Sequence, residues 1–353
     1  MAERVLVGMS GGVDSSVAAA LLVDDGYDVV GVTMKLWGGE SDSGCCSVSD
    51  VDDARWVANQ LDIEHHVFNF GEEFNEHVVA PFVDTHRTGG TPNPCIECNR
   101  HIKFDLFFDR ASVLGFDKIA TGHYARIATL DDGTFRMQRS IDPLKDQSYV
   151  LHMLRQDVLG RVLLPIGGWH KPDLRAEAEK RGLLTAGKPD SQDVCFITKD
   201  GGREEFLGAR GGLTPGVIIT EDGTEVGSVP ATELVTVGQR KGLNVSGMSE
   251  PHFVVDVNLH ESIVTIGPRR SLQDDETGFT QPVWAYESFT GDALVQASAH
   301  GTALPATVEN DRVVWHDKRD RIAAGQSLVF YAGDGGPNDT CLLYTSPSPR
   351  DRG

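Results

Sequence analysis

The sequence predicts an α/β protein: a doubly wound parallel sheet followed by smaller β-rich modules that include a C-terminal β-barrel. Three observations carry this. Up to about residue 120, short apolar runs alternate with amphipathic stretches, the strand–helix rhythm of a parallel sheet. A loop rich in glycine and serine joins the first run to the first helical stretch. After about residue 200 the rhythm gives way to short β-type runs separated by glycine-rich turns.

Taken in order, "RVLVG" (4–8) reads as a buried strand and Ser15–Asp25 as a helix stopped by Gly26. "DVVGVTM" (28–34) is the next strand. "SDVDDARWVANQLD" (49–62) carries acids in its first turn and apolar spacing behind them, which suits a helix. "HHVFNF" (65–70) is a strand, "FDLFFDRASVLG" (104–115) a helix and "DKIATG" (117–122) a strand. "RIATLDDGTFRMQRS" (126–140) reads as an inserted hairpin turning at Asp132-Gly133. Further on, "GVIIT", "HFVVDV", "SIVTIG", "LPATVEND", "RVVWHD" and "QSLVFYAG" are the β-type runs. The end, "CLLYTSPSPRDRG", is Ser/Pro/Arg-rich and unlike the rest, and is expected to be disordered or non-native.

A chain of 353 residues suffices for two or three domains, and 40% hydrophobic and 24% charged residues are ordinary for a soluble protein. No apolar run approaches the ~20 residues that span a bilayer, and the N-terminus shows no leader. The expectation is a cytoplasmic protein with no membrane partner. The net charge of −20 argues against a nucleic-acid partner unless basic residues are gathered locally. Acidity spread along the chain also fits a solubility adaptation to high salt.

The stretch "GMSGGVDSS" between strand and helix has the make-up of a phosphate cradle. Glycines let a ligand approach the backbone, and free N–H groups at the helix start face an anion. Ser10 and Ser15 add hydroxyls. The loop lacks the lysine of the G-x-x-x-x-G-K-[ST] signature, so γ-phosphate hydrolysis is not expected. SGGVDS resembles the pyrophosphatase loop of adenylating enzymes, which split ATP between the α- and β-phosphates.

There are six cysteines: Cys45, Cys46, Cys95, Cys98, Cys195 and Cys341. In "TPNPCIECNRHIKFD" (91–105) two prolines and an asparagine stiffen the approach to Cys95 and Cys98. Spacing alone leaves open a zinc half-site, with Cys45 and Cys46 as partners, or an iron–sulfur cluster. Cys195, in "GKPDSQDVCFI" (187–197), reads on its own as a small core residue.

Together, SGGVDS, "TPNPC..CN...KF", "TGHYAR", "KDQSYVL", "PDSQDVCFI" and "VGQRKGL" occur in an order that closely resembles the tRNA-specific 2-thiouridylase family, over about residues 4 to 332. That family converts the wobble uridine (position 34) of certain tRNAs to 2-thiouridine. The resemblance implies an adenine-nucleotide α-hydrolase-like N-terminal domain. It implies ATP binding by Gly8, Met9, Ser10, Gly11, Gly12, Val13, Asp14 and Ser15, together with Met34 and Gly122. It makes Cys98 the nucleophile and Cys195 the persulfide carrier, able to form a Cys98–Cys195 disulfide. Asn93, Pro94 and Cys95 correspond to target-base contacts, and His123, Lys145, Asp146 and Gln147 to tRNA contacts. Some members have Asp where this chain has Cys95. The family's arginine–aromatic pair is replaced here by Ala299, His300 and Gly301.

The implied chemistry suits these residue types. Adenylation turns the uridine 2-oxygen into part of a good leaving group, and a persulfide or thiolate is a strong nucleophile near neutral pH. A second cysteine then breaks the S–S bond by exchange, or frees the outer sulfur as hydrosulfide. ATP is the co-substrate and Mg2+ offsets charge on pyrophosphate. The sulfur comes from a cysteine desulfurase or a sulfur-carrier protein. A basic tRNA track of Arg100, Lys103, Arg126, Lys145, Arg240 and Lys241 offsets the acidic balance. Expected domains are 1–205 (catalytic), 206–275 (small, β-rich), 276–335 (barrel-like) and a tail over 336–353. Alternatives are another adenylating enzyme such as a 4-thiouridine synthase, a metal-dependent nucleic-acid-binding protein using Cys45, Cys46, Cys95 and Cys98, and, as a minor variant, an iron–sulfur enzyme using Cys95, Cys98 and Cys195.

Overall fold

The computed structural model describes residues 2–37, 47–190, 194–197, 201–245, 248, 250–285, 288–333, 335–336 and 338–347. Cys45 and Cys46 lie outside the described residues. Two compact units form: Met1–Val79 with Pro94–Thr198 and Tyr331–Leu342, and Ala80–Asn93 with Lys199–Phe330 and Leu343–Gly353.

The first unit is built on strands β1 (Arg4–Gly8), β2 (Asp28–Lys35), β3 (Glu64–Asn69), β4 (Lys118–Thr121) and β7 (Val162–Leu163). They form a parallel sheet in the order β3-β2-β1-β4-β7. The order runs one way from β1 to β3 and the other way from β4 to β7. The reversal falls between β1 and β4, and a ligand crevice opens at the carboxyl ends of such a pair. Helices α1 (Val13–Asp24), α2 (Val48–Gln60) and α8 (Lys171–Lys180) cover one face. Val5, Val7 and Met9 pack there with Val17, Ala18, Ala19 and Leu22 of α1, Val57 of α2 and Leu174 of α8. The small alanines let α1 lie close to the sheet.

Between β3 and β4 the chain is helical in short pieces: α3 (Gly71–Phe74), a π-type segment Asn75–Val79, α4 (Ala80–Arg87), α5 (Pro94–Glu97), a second π-type segment Cys98–Leu106, and α6 (Phe107–Val113). The expected hairpin is β5 (Ala125–Thr129) and β6 (Phe135–Arg139), with Gly133 at φ +81° and the Asp132 carboxylate accepting from Thr134 N (2.8 Å). α7 (Gln156–Leu159) follows.

In the second unit α9 (Gly202–Gly208) precedes a sheet of β8 (Gly216–Thr220), β9 (Glu225–Val229), β10 (His252–Asn258) and β11 (Ile263–Pro268), ordered β10-β11-β8-β9. Ile218, Val229, Val254, Val264 and Ile266 form its core. Next come β12 (Gln273–Trp284), β13 (Gly291–Gln296), β14 (Leu304–Val308), β15 (Arg312–Asp320) and β16 (Leu328–Ala332), neighbours in the order β12-β15-β14-β13-β16.

Part of the stretch expected to be a disordered or non-native tail forms a strand. β17 (Thr340–Pro347) pairs antiparallel with β12 from Phe279↔Pro347 to Trp284↔Leu343. The edge of β12 needs partners for its N–H and C=O groups, and these residues supply them. Pro282 sits where that register slips, between Thr280 and Val283, as a residue without an N–H must.

Candidate active site

β1 is buried at its end and delivers the chain to the glycine loop. Met9 N donates to Val32 O (2.8 Å). Gly11 has φ +71°, and a side chain there would also run into the Asp50 backbone, so two separate reasons demand glycine. Gly12 is the extended N-cap of α1 and brings no side chain to cap it. The first amides of α1 are thus left for an anion. Hydroxyls brace the curve: Ser10 N donates to Ser15 Oγ (3.1 Å), and Ser16 Oγ donates to Gly12 O (2.8 Å).

Gly122 follows β4 across the crevice, and a Cβ there would stand 2.6 Å from Ser15 N. Met34 flanks the other side, its Cε 3.1 Å from where a Gly8 Cβ would be. Gly8, Gly11 and Gly122 thus stand where the chain packs too closely for a side chain.

Two distant lysines serve the lysine-free loop. Lys171, 7% exposed, places Nζ 2.7 and 2.9 Å from the two oxygens of Asp14. Lys188 Nζ donates to Gly11 O (3.0 Å), Asp50 Oδ1 (2.6 Å) and Asp53 Oδ2 (2.6 Å). Burial works against the Lys188 charge, but its hydrogen bonds to Asp50 and Asp53 outweigh it and hold the ammonium above its usual pKa. Asp14 also accepts from Tyr124 Oη (3.0 Å). Burial first, and Asp14 next, push the Tyr124 hydroxyl far up.

Asp190 gathers three cations: Lys145 (2.7 Å), Lys171 (2.8 Å) and Arg175 (2.7 Å). Burial alone would raise its pKa, but Lys145 and Lys171 bring it to about 2.

Cys98 is buried at the start of the second π-type segment, and Cys95 is exposed on α5. Pro94 is buried and Asn93 half-exposed. Asn99 donates from Nδ2 to Val150 O (2.9 Å), while its buried Oδ1 has no partner among the described residues. Cys195 is half-buried. Its neighbour Phe196 packs edge-on to Phe74 of α3 (centroids 5.7 Å) and against Trp37 (6.2 Å). α3 in turn packs on the segment that begins with Cys98. The two cysteines thus belong to neighbouring parts of one unit. Among the described residues no group of three or more His, Cys, Asp or Glu is arranged to hold a metal.

The turn 145–147 is clasped to "TGHYAR". Gln147 N donates to Tyr124 O (2.7 Å), and Tyr124 N donates to Gln147 Oε1 (2.9 Å). Asp146 accepts from Ser140 N (3.0 Å), Ser148 N (3.1 Å) and Arg139 Nη1 (3.1 Å). Asp146 and Gln147 are therefore committed to shaping the turn, and Lys145 is its half-exposed cation. His123 is buried, with Nδ1 2.7 Å from Thr121 Oγ1. Burial, then Lys103, hold it well below the usual imidazole pKa, so it is neutral and presents little surface to an RNA chain. Of the basic track, Arg240 and Lys241 are exposed, while Arg126 donates to Arg139 O (2.9 Å).

Comparison with known proteins bears on what this site belongs to. Residues 3–199 match the family model described as tRNA methyl transferase HUP domain, and residues 204–268 its PRC-barrel domain. The tRNA-specific 2-thiouridylase MnmA of Beutenbergia cavernae is 44% identical over 351 residues, covering 94% of this chain and 92% of that protein. Its namesake in Mycobacteroides abscessus is 42% identical over 346 residues, covering 94% and 96%. This chain belongs to the tRNA-specific 2-thiouridylase family. A 4-thiouridine synthetase–RNA complex with bound ATP is similar at 17% identity and TM-score 0.37, over 55% of this chain and 45% of that one, too slight a likeness to bear on function.

Around the glycine loop and the cysteines the structure gathers side chains that the sequence reading did not single out: Lys171, Lys188, Asp190, Arg175, Tyr124 and Asn99. "HKPDLR" held a signal, since proline at the second helical position marks the start of α8 and sets Lys171 in its first turn. Nothing local in "GKPD" says that its lysine reaches back to Gly11. Among the described residues no helix is long and apolar enough to cross a membrane.

Proposed function

We propose that this chain carries out ATP-dependent 2-thiolation of the wobble uridine of tRNA, with Cys98 and Cys195 as its catalytic pair, in the cytoplasm. The observation that supports the reading is the combination, in one unit, of a lysine-free glycine loop and two cysteines whose segments both pack on α3. ATP lies with its phosphates on the first amides of α1, and Mg2+ arrives on those phosphates as part of the substrate. The uridine 2-oxygen attacks the α-phosphorus and pyrophosphate departs. The outer sulfur of a Cys195 persulfide, loaded by a cysteine desulfurase or sulfur-carrier protein, then attacks C2. A C2–S bond forms and the C2–O bond to AMP breaks. Cys98 Sγ attacks Cys195 Sγ, the S–S bond to the transferred sulfur breaks, and 2-thiouridine leaves. The two thiols lose two electrons to that sulfur and end as a Cys98–Cys195 disulfide, which an external dithiol reductant reopens.

Asn93, Pro94 and Cys95 stand at the approach to Cys98 as contacts for the extruded base. Lys145, Arg240 and Lys241 supply phosphate contacts.

The description "methyl transferase" attached to the matched family model offers a second outcome. Two cysteines in the unit that carries the glycine loop favour thiolation, because methyl transfer has no use for a persulfide carrier. The test is incubation of the protein with tRNA, ATP and a persulfide donor, followed by mass analysis of digested nucleosides. Sulfur replacing oxygen at wobble uridine is expected from wild type, and no product from Cys98→Ala or Cys195→Ala. An added methyl group, or full thiolation by both variants, refutes the assignment.

A further inference from the structure

Asp190 lies five residues before Cys195, and its two oxygens are fully engaged. Oδ1 takes Lys171 (2.8 Å) and Arg175 (2.7 Å), and Oδ2 takes Lys145 (2.7 Å). These partners come from separate parts of the first unit. Lys145 belongs to the turn clasped against Tyr124. Lys171 and Arg175 open α8, where Lys171 N also donates to Asp142 Oδ2 (2.9 Å). Lys171 continues to Asp14 of the glycine loop (2.7 Å). On the far side of Cys195, Phe196 is fixed among Phe74 and Trp37. Cys195 is thus bracketed by a polar anchor before it and an aromatic anchor after it. A carboxylate shared among three cations, with a pKa of about 2, is too weak a base to take a proton from the reaction.

We propose that Asp190 is a positioning residue for sulfur transfer: by holding Lys145, Lys171 and Arg175 on one carboxylate it fixes the start of the Cys195 segment relative to the glycine loop. This rests on the thiolation reading above. Its consequence is a split between the two halves of the reaction. Adenylation depends on the cradle itself, whereas transfer depends on where Cys195 stands, and a displacement of about 1 Å is enough to cost on the order of 100-fold in rate.

The experiment compares wild type with Asp190→Asn and Asp190→Glu under single-turnover conditions with tRNA and persulfide-loaded protein. Pyrophosphate release, 2-thiouridine yield and Cys98–Cys195 disulfide formation are followed separately, with melting temperature alongside. Asp190→Asn is expected to lower thiolation and disulfide formation about 30- to 100-fold and to lower pyrophosphate release, through Lys171 and Asp14, at least tenfold less than that. Asp190→Glu, which keeps the charge, should recover most of the loss. If Asp190→Asn does not fold, Arg175→Gln removes one cation of three and should show the same split at smaller size. Equal losses in both half-reactions, or none in either, overturn the proposal. A wild-type protein that makes no 2-thiouridine overturns the parent reading, and this one with it.

Discussion

One added methyl group at Gly122 should weaken ATP binding about as much as it weakens the fold. A Cβ there would lie 2.6 Å from Ser15 N, 2.8 Å from Asp14 C and 2.9 Å from Ser15 Cα. All three are backbone atoms, so none can swing aside. Ordinary contact begins at 3.4 Å, and the start of α1 must therefore retreat by 3.4 − 2.6, about 0.8 Å. Those are the amides that the proposed reading sets against the phosphates. Hydrogen bonds to a charged group contribute about 1.5–3 kcal/mol each. Stretching one or two of them by that distance should remove about 1.5–3 kcal/mol, which is roughly 10- to 150-fold in Kd. Overpacking itself costs about 1–3 kcal/mol of stability. Titration calorimetry of Gly122→Ala with Mg-ATP, beside a melting curve, measures both. A variant that melts lower yet binds ATP within twofold of wild type would show that the nucleotide does not sit on the first turn of α1.

Lys171→Met leaves Asp14 and Asp190 facing each other without their shared cation. Losing one partner of a buried ion network costs about 3–5 kcal/mol, and both the melting temperature and pyrophosphate release should fall. His65 gives a pH signature. Thr33 Oγ1 donates to Met9 O (2.8 Å) and accepts from His65 Nε2 (2.9 Å), so the proton is on Nε2 and the buried Nδ1 has no partner among the described residues. Burial first, then Arg55, lower its pKa from 6.5 to about 4. The stability from keeping it neutral is complete above 6.5 and lost as pH falls toward 4. Discounted for partial exposure this is on the order of 1–2 kcal/mol, and chemical denaturation at stepped pH should show His65→Gln losing less than wild type over that window. Arg240→Ala with Lys241→Ala should weaken tRNA binding and flatten the slope of log K against log salt by about one unit per charge that contacts phosphate. An unchanged slope removes them from the RNA track.

The parallel sheet was readable because its strands are continuous apolar runs. "RVLVG" and "DVVGVTM" fall where β1 and β2 lie. The helix after the loop was placed two residues late, since an N-cap glycine carries no side-chain signal and α1 starts at Val13. The helical pieces between residues 71 and 87 were missed because each is too short to show a period of its own. β12 escaped notice because "QDDET" is too acidic to read as a strand, although Trp315 Nε1 donates to Thr277 Oγ1 (2.9 Å) across to β15. In the site, motifs disclosed the residues contiguous with glycines and cysteines. Lys171 and Lys188 act over separations of 157 and 177 residues from Asp14 and Gly11, and only folding reveals such pairs.

Because Gly12 offers no side chain to the opening turn of α1, at the centre of the parallel sheet, the amides there take their hydrogen bonds from water or from a bound anion. An anion that satisfies those amides acts as a missing piece of the fold. Stabilisation then grows with the logarithm of nucleotide concentration over its dissociation constant. Resistance to proteolysis in vitro should therefore rise with nucleotide concentration.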